Sequence, residues 1–247
     1  MLSFINMIKA ISTHLFLFDL LTKETIENIR NNNFLFVEIW AMKPHFRFDN
    51  ITYLKGIADI LSSLGMKAIS FHGPLYEDVS DAMKGRWLSL ASKDKSLRRK
   101  TIDLFKKVVD AMELFGCRTI VTHTGLSGDI DEEEMENLLH SLEEISAHSD
   151  GWPLNIALEN GVSSSASTRS IVSFIKRYCP LRTGVCFDTG HAHISGNFSE
   201  DLNAMVSYLM TTHIHDNRGS SDEHLLPFKG TIPWEQMLEV LSKSGYD

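Results

Sequence analysis

Short runs of β-branched and aromatic residues alternate with longer amphipathic stretches along the whole chain of 247 residues. A strand pattern followed by a helix pattern, repeated in this way, is typical of βα units on a parallel sheet. We predict seven such units. The predicted strands cover residues 9–17, 34–40, 67–72, 118–124, 154–159, 183–188 and 211–215. The predicted helices cover residues 22–31, 50–64, 92–115, 131–148, 167–178, 200–209 and 234–244.

The alternation is not interrupted by a linker rich in proline or glycine, so we expect one domain over residues 1–247. Consecutive βα units indicate an α/β protein of the (β/α)8 TIM-barrel class, which closes with eight parallel strands. The eighth strand would begin where the sequence stops. We therefore expect a barrel that lacks its eighth βα unit and is incomplete at the C-terminal end. The edge of the seventh strand would then have unpaired backbone groups, so we expect either a homo-oligomer or a segment that covers this edge.

Composition excludes several classes of protein. With 43% apolar and 23% charged residues, the chain is too apolar for a disordered protein. Its net charge of −8 argues against binding to nucleic acid or to an anionic membrane mainly by charge. The three cysteines lack CxxC spacing, which fits a reducing cytoplasm better than a disulfide framework or a thiolate zinc site. No segment reaches the roughly 18 apolar residues that span a bilayer.

Polar residues that bind metals recur at the carboxyl ends of the predicted strands. His72, His123, Glu159 and Asp188 end the third to sixth strands, and His213 lies on the seventh. In a parallel barrel these ends converge on one rim. Imidazoles and carboxylates from different strands supply the lone pairs that a divalent cation requires. The sequence therefore predicts a metal site at this rim.

Further candidates lie beyond the strand ends. His191 follows Asp188 in a D-x-x-H turn, where it either reaches the same site or caps the next loop. Asp222 and His224 form a D-x-H pair in the loop after the seventh strand, which either folds over the site or is ordinary polar loop. Arg218 is a candidate for binding a substrate hydroxyl or phosphate, or is simply solvated.

The chain resembles the xylose isomerase-like TIM-barrel superfamily in six segments, in this order: FHGP, THTG, ALENG, CFDTGHAH, HIHDN and DEHLLPFKGTIPW. This superfamily contains sugar isomerases and epimerases and also zinc-dependent abasic-site endonucleases. Similarity to the isomerase and epimerase branch implies one divalent ion (Mn, Zn, Co or Mg) held by Glu159, Asp188 and His213. The second glutamate of that branch, on the eighth strand, has no counterpart in this sequence.

The resemblance implies an isomerase or epimerase of a small sugar, sugar phosphate or related polyol ketone. A proton would leave the α-carbon, and the cation would stabilise the resulting enediolate. Glu159 would be both a metal ligand and the candidate base, and His191 would orient the substrate or relay protons. The residues expected to contact the substrate are His72, His123, Arg218 and His224.

A zinc-dependent abasic-site endonuclease is the alternative. That branch uses further ligands at positions that match His72, His123, His191, Asp222 and His224. It needs two or three clustered metals and a basic groove, which an acidic chain does not favour. The segment of residues 230–234 is more similar to the sugar enzymes. A third hypothesis is a catalytically impaired barrel that binds a metal or a sugar without turnover.

Overall fold

In a computed structural model, the chain forms one curled sheet of seven parallel strands in sequential order. The structure describes residues 8–125, 131–149, 151–162 and 166–246. The strands are β1 (Ala10–Ser12), β2 (Phe36–Trp40), β3 (Lys67–His72), β4 (Thr119–His123), β5 (Asn155–Glu159), β6 (Thr183–Asp188) and β7 (Leu209–His213). The described residues form seven consecutive strands of the predicted (β/α)8 TIM-barrel architecture, and the fold class is confirmed. Asp247, where the eighth strand is expected to begin, lies outside the described residues.

Helices follow the strands and cover the outer face of the sheet. They are α1 (Lys23–Asn31), α2 (Ile51–Ser63), α3 (Val79–Ala82), α4 (Lys95–Leu114), α5 (Glu132–His148), α6 (Thr168–Tyr178), α7 (Thr189–Ile194), α8 (Phe198–Met205) and α9 (Trp234–Ser244). Several helices begin at polar capping residues that are visible in the sequence. At α5, for example, Asp131 and Glu134 accept hydrogen bonds from each other's backbone N–H groups. Within the described ranges, we find no helix with the length and apolar character needed to cross a bilayer.

Successive residues of each strand face opposite sides of the sheet, one side toward the helices and the other toward the inside of the barrel. In β5, Ile156 and Leu158 pack into the main core toward the helices, whereas Ala157 packs inside the barrel. The inward residues form two layers. The lower layer consists of Glu38, Ser70, Val121, Ala157 and Cys186. The upper layer consists of Trp40, His72, His123, Glu159, Asp188 and His213, the first five of which lie two residues after their lower-layer counterparts.

Two strand predictions were wrong in their bounds. β1 ends at Ser12, because the chain turns there into a 3-10 helix over Thr13–Phe16. The Ser12 hydroxyl accepts a hydrogen bond from the His14 N–H, which starts this turn. β7 lies two residues earlier than predicted, with a register shift in the β6–β7 pair, so His213 ends the strand and His215 follows it.

Three helical segments also differ from the sequence prediction. Helices α3 and α7 were not predicted, because segments of four and six residues are too short to show a clear helical period. The predicted helix of residues 200–209 is instead α8 followed by a 3-10 helix over Val206–Tyr208. Of these differences, α7 matters most to the site, since it carries His191.

The loop after β7 is fastened to the barrel by Asp216. The buried carboxylate accepts hydrogen bonds from the Trp234 indole N–H at 3.0 Å and from the Gly230 and Ile232 backbone N–H groups at 2.9 and 3.2 Å. Asp216 and Leu225 also exchange both backbone hydrogen bonds. Gly230 is required here, since a Cβ atom would lie 2.3 Å from the Asp216 carboxylate. These contacts fix the loop that carries Asp222 and His224.

We predict that Asp216→Ala destabilises the protein by about 2–4 kcal/mol, because these three donors and the Asn217 backbone N–H lose a buried acceptor. Urea denaturation followed by circular dichroism measures this loss. The matched control is Asp59→Ala on the exposed face of α2, which should change the free energy of unfolding by less than about 0.5 kcal/mol. Equal effects of the two substitutions would show that Asp216 does not fasten the loop.

Candidate metal centre

The upper inward layer and the loop after β7 bring imidazoles and carboxylates together at the carboxyl end of the barrel. They form three groups, in each of which the possible ligand atoms lie within 4.8 Å of one another. The groups are His72, His123 and Glu159; Glu159, Asp188 and His213; and His215, Asp222 and His224. The structure thus brings together the predicted ligands Glu159, Asp188 and His213.

Glu159 is the centre of the first two groups. Its Oε2 atom lies 3.1 Å from His72 Nε2 and 3.2 Å from His123 Nε2. Its Oε1 atom lies 3.0 Å from His213 Nδ1. Burial by itself would raise the carboxyl pKa, but the imidazoles of His213 and His123 hold the pKa of Glu159 well below its usual value. The buried carboxylate therefore stays ionised, as a metal ligand must be.

Asp188 is oriented by the start of α7. Its Oδ1 atom accepts a hydrogen bond from the His191 N–H at 2.8 Å and lies 3.0 Å from His215 Nε2. The Asn160 side chain holds the Asp188 backbone, accepting from its N–H at 2.7 Å and donating to its carbonyl at 3.0 Å. The predicted D-x-x-H turn is therefore a helix cap that places Asp188 and His191 side by side.

His213 faces two carboxylates. Its Nδ1 atom points to Glu159, and its Nε2 atom lies 3.1 Å from Glu38 Oε2. Burial disfavours a charged imidazole, but the neighbouring Cys186, Glu38 and Glu159 hold the pKa of His213 well above its usual value. Burial likewise raises the pKa of Glu38, but His213 and the Ser70 hydroxyl overcome this and lower it to about 2.

The third group lies at the edge of the mouth of the barrel, which is the carboxyl end of the strands. Asp222 Oδ2 lies 3.0 Å from His224 Nε2 and 3.5 Å from His191 Nε2, so the loop does fold over the site. The His215 ring stacks on His224 at 4.1 Å, and its buried Nδ1 atom has no hydrogen-bond partner among the described residues. A Cβ atom on Gly190 would lie 1.9 Å from the His215 ring, so the close approach of this ring to the backbone of α7 requires glycine.

Of the predicted substrate contacts, His72, His123 and His224 lie within these groups, whereas Arg218 does not. The Arg218 guanidinium is exposed and pairs with Glu223 on the same loop at 2.5 Å. The Arg218 backbone N–H also donates to Glu223 at 2.9 Å. This arrangement orders the loop, and a substrate role for Arg218 stays a prediction.

Sequence reasoning missed Glu38 and left His215 without a role. The signal for Glu38 was a single acid in the apolar run FVEIW, at a position of the same parity as the inward Trp40. His215 was visible only as the second histidine of HIHDN. An aromatic wall was also missed, in which the Trp40 ring packs on His72 at 4.0 Å and on His14 at 4.3 Å.

The donor set fits a divalent cation. Carboxylate oxygens and imidazole nitrogens from several strands face one another at short distance, in mostly buried surroundings. Zn, Mn and Co accept this mixture of oxygen and nitrogen ligands. The buried Nδ1 atom of His215 adds a lone pair or a proton that lacks a hydrogen-bond partner.

The sequence profile of the xylose isomerase-like TIM barrel family matches residues 26–247. The chain belongs to this family. It is 30% identical over 159 residues to protein y4fM of Sinorhizobium fredii, covering 60% of this chain and 51% of the relative. It is 28% identical over 250 aligned positions to protein MJ1311 of Methanocaldococcus jannaschii, covering 96% of this chain and 80% of the relative. The chain thus spans about half of one relative and four fifths of the other.

A third relative and two solved structures are also similar to this chain. A probable endonuclease 4 of Aquifex aeolicus is 26% identical over 175 residues, covering 62% of each chain. A D-tagatose 3-epimerase-like protein superposes with a TM-score of 0.77 at 23% identity, covering 96% of this chain and 87% of the other. The IolI protein, solved with a zinc atom, gives a TM-score of 0.76 at 18% identity, covering 96% and 85%. These structural similarities establish a common fold.

We predict that His191 in the metal-free protein titrates with a pKa of about 9. Burial favours the neutral ring, but the Asp222 side chain and the charges of Asp188 and Glu159 outweigh burial. Proton–nitrogen NMR of the histidine side chains as a function of pH measures this pKa, with His191→Gln used to assign the signal. In Asp222→Asn the pKa should fall toward 6.5. A pKa unaffected by this substitution would contradict the assignment of cause.

Proposed function

We propose that this protein is a divalent-metal-dependent isomerase or epimerase of a small sugar, sugar phosphate or related polyol ketone. The observation that carries the proposal is the convergence of Glu159, Asp188 and His213, whose ligand atoms lie within 4.8 Å of one another. Family membership and the shared fold of a D-tagatose 3-epimerase-like protein support it. A cytoplasmic location, a role in carbohydrate metabolism and pairing with a second copy of the chain belong to the proposal as predictions from sequence.

Glu159, Asp188 and His213 would hold one cation at the inner end of the mouth. When bound, a divalent cation would polarise adjacent carbonyl and hydroxyl oxygens of the substrate and so acidify the α-carbon. Glu159 is ionised and has two oxygens, so one can serve as a ligand while the carboxylate accepts a proton. His72 and His123, both within 3.2 Å of Glu159 Oε2, limit the rotation of this carboxylate.

His191 would take part in proton transfer at the outer side of Glu159. Its Nδ1 atom lies 2.8 Å from the Asn160 carbonyl oxygen, to which it donates, and 3.8 Å from Glu159 Oε1. Its Nε2 atom faces Asp222. This orientation leaves His191 between the buried carboxylate and the loop, where it can pass a proton toward a substrate oxygen.

We predict that Glu159→Gln lowers turnover by about 10²- to 10⁴-fold on any sugar that the wild type converts with Mn²⁺, Co²⁺, Mg²⁺ or Zn²⁺, because the base is lost. Turnover is measured by chromatography over a panel of ketoses, aldoses and their phosphates. The matched control is Glu143→Gln on the exposed face of α5, with circular dichroism confirming that both variants fold. Unchanged turnover in Glu159→Gln would show that Glu159 is not the base. A metal-loaded wild type that binds sugars without converting any would instead indicate a binding barrel.

A zinc-dependent phosphodiesterase acting on abasic DNA is the second candidate. It is favoured by the two further ligand groups, around His72 and His123 and around Asp222 and His224, which give the mouth room for more than one ion. Clustered metals can activate a water and stabilise a leaving oxygen. The probable endonuclease 4 of Aquifex aeolicus is a relative that supports this candidate.

Metal content discriminates between the two candidates. For the sugar enzyme we predict one tightly bound ion per chain by elemental analysis, lost in Asp188→Asn and retained in His224→Ala, since only Asp188 belongs to the inner group. Three tightly bound zinc ions, of which His224→Ala removes one, together with cleavage of an abasic duplex, would favour the phosphodiesterase.

A further inference from the structure

We propose that Glu38 is a positioning residue for the metal centre: its carboxylate accepts a hydrogen bond from His213 Nε2 and so holds the ring with Nδ1 facing Glu159 and Asp188. This inference rests on the proposed metal site and adds to it a residue that contacts neither substrate nor cation. Glu38 belongs to none of the three ligand groups found among the described residues.

The Glu38 side chain lies in the lower inward layer, one step below the mouth, and is 6% exposed. Its Oε2 atom accepts a hydrogen bond from the Ser70 hydroxyl at 2.8 Å and lies 3.1 Å from His213 Nε2. Its Oε1 atom accepts from the Ser12 hydroxyl at 3.2 Å. Both carboxylate oxygens are therefore held in place by hydroxyl donors from the neighbouring strands β1 and β3.

This arrangement fixes the His213 ring and keeps a proton on its Nε2 atom. An ionised carboxylate accepts hydrogen bonds and has none to donate, so the hydrogen bond to Glu38 requires a proton on His213 Nε2. Nδ1 faces the ionised Glu159 carboxylate and is also protonated in the metal-free protein; a cation bound on this side would take the place of that proton, while Glu38 keeps the proton on Nε2. The Nδ1 atom lies 3.0 Å from Glu159 Oε1 and 4.0 Å from Asp188 Oδ2, which is the space where a shared ligand is expected.

Glu38 also connects parts of the sheet that backbone hydrogen bonds leave apart. β1 and β7 are the two edges of the sheet, and the contact between Glu38 and His213 links β2 to β7 across the open side of the barrel. His213 is thereby supported from the side on which β7 has no neighbouring strand among the described residues. A carboxylate that fixes both the tautomer and the ring orientation of a ligating histidine typically changes metal affinity by about 10- to 100-fold.

The test compares Co²⁺ binding by metal-free wild type and Glu38→Gln, measured by calorimetry and by the visible spectrum of the bound ion. We expect Glu38→Gln to bind Co²⁺ about 10- to 100-fold more weakly, because the glutamine amide no longer enforces a proton on His213 Nε2. Glu143→Gln is the matched control and should bind as the wild type does. Ser70→Ala, which removes one anchor of the carboxylate, should give a smaller loss in the same direction and serves if Glu38→Gln does not fold.

Proton–nitrogen NMR of the zinc-loaded proteins gives a readout that a purely structural role would not change. The wild type should show His213 protonated at Nε2 and bound through Nδ1, and Glu38→Gln should show a changed or mixed state. If wild type and Glu38→Gln bind Co²⁺ equally, or if the variant binds weakly with an unchanged His213 tautomer, the positioning role is wrong while the metal site stands. If the wild type itself binds no Co²⁺, the proposed function fails and this inference fails with it.

Discussion

The two-residue period of the strands is the constraint on which the site depends. Because alternate residues face inward, one polar residue at the end of a strand is enough to add a side chain to the mouth. His123, Glu159 and Asp188 reach one space in this way, although they are far apart in sequence. The residue two positions earlier on each of these strands is small or apolar, so the polar layer rests on a packed floor at Val121, Ala157 and Cys186. Glu38 and Ser70 are the polar residues of this lower layer, and the Glu38 carboxylate contacts His213.

Burying so many ionisable groups is tolerable because acids and imidazoles alternate in space. An isolated buried carboxylate would be neutralised by an upward shift of its pKa. Glu159 instead has four imidazoles within 3.8 Å, and Asp222, at the exposed edge of the site, has three, so each carboxylate keeps its charge. The same imidazoles that compensate these charges in the metal-free protein have nitrogen atoms that can bind a cation. The site is therefore internally balanced without a cation and already has its ligands close together.

The outer part of the mouth depends on loop contacts. Asp222 and His224 are useful to the site only because Asp216 ties their loop to Trp234 and to the backbone near Gly230. His191 depends in turn on α7, which begins at Asp188 immediately after β6. The inner candidate ligands stand on strands, whereas the outer ones stand on a short helix and on the loop after β7. The inner and outer parts of the mouth thus differ in the elements that support them.

The sequence by itself determined the central strands, the fold class and which polar side chains meet at the inner end of the mouth. Regular alternation and capping residues are local signals, and a histidine or acid at the end of an apolar run marks the mouth whatever its distant neighbours are. Tertiary structure decided the bounds of β1 and β7, the helix α7, the exposed position of Arg218 and the roles available to Glu38 and His215. These features depend on contacts between residues far apart in the chain: Glu38 meets His213 only when β2 and β7 face each other across the barrel. The local sequence pattern contains no information about the contact between Glu38 and His213, because this contact follows from the curvature of the whole sheet.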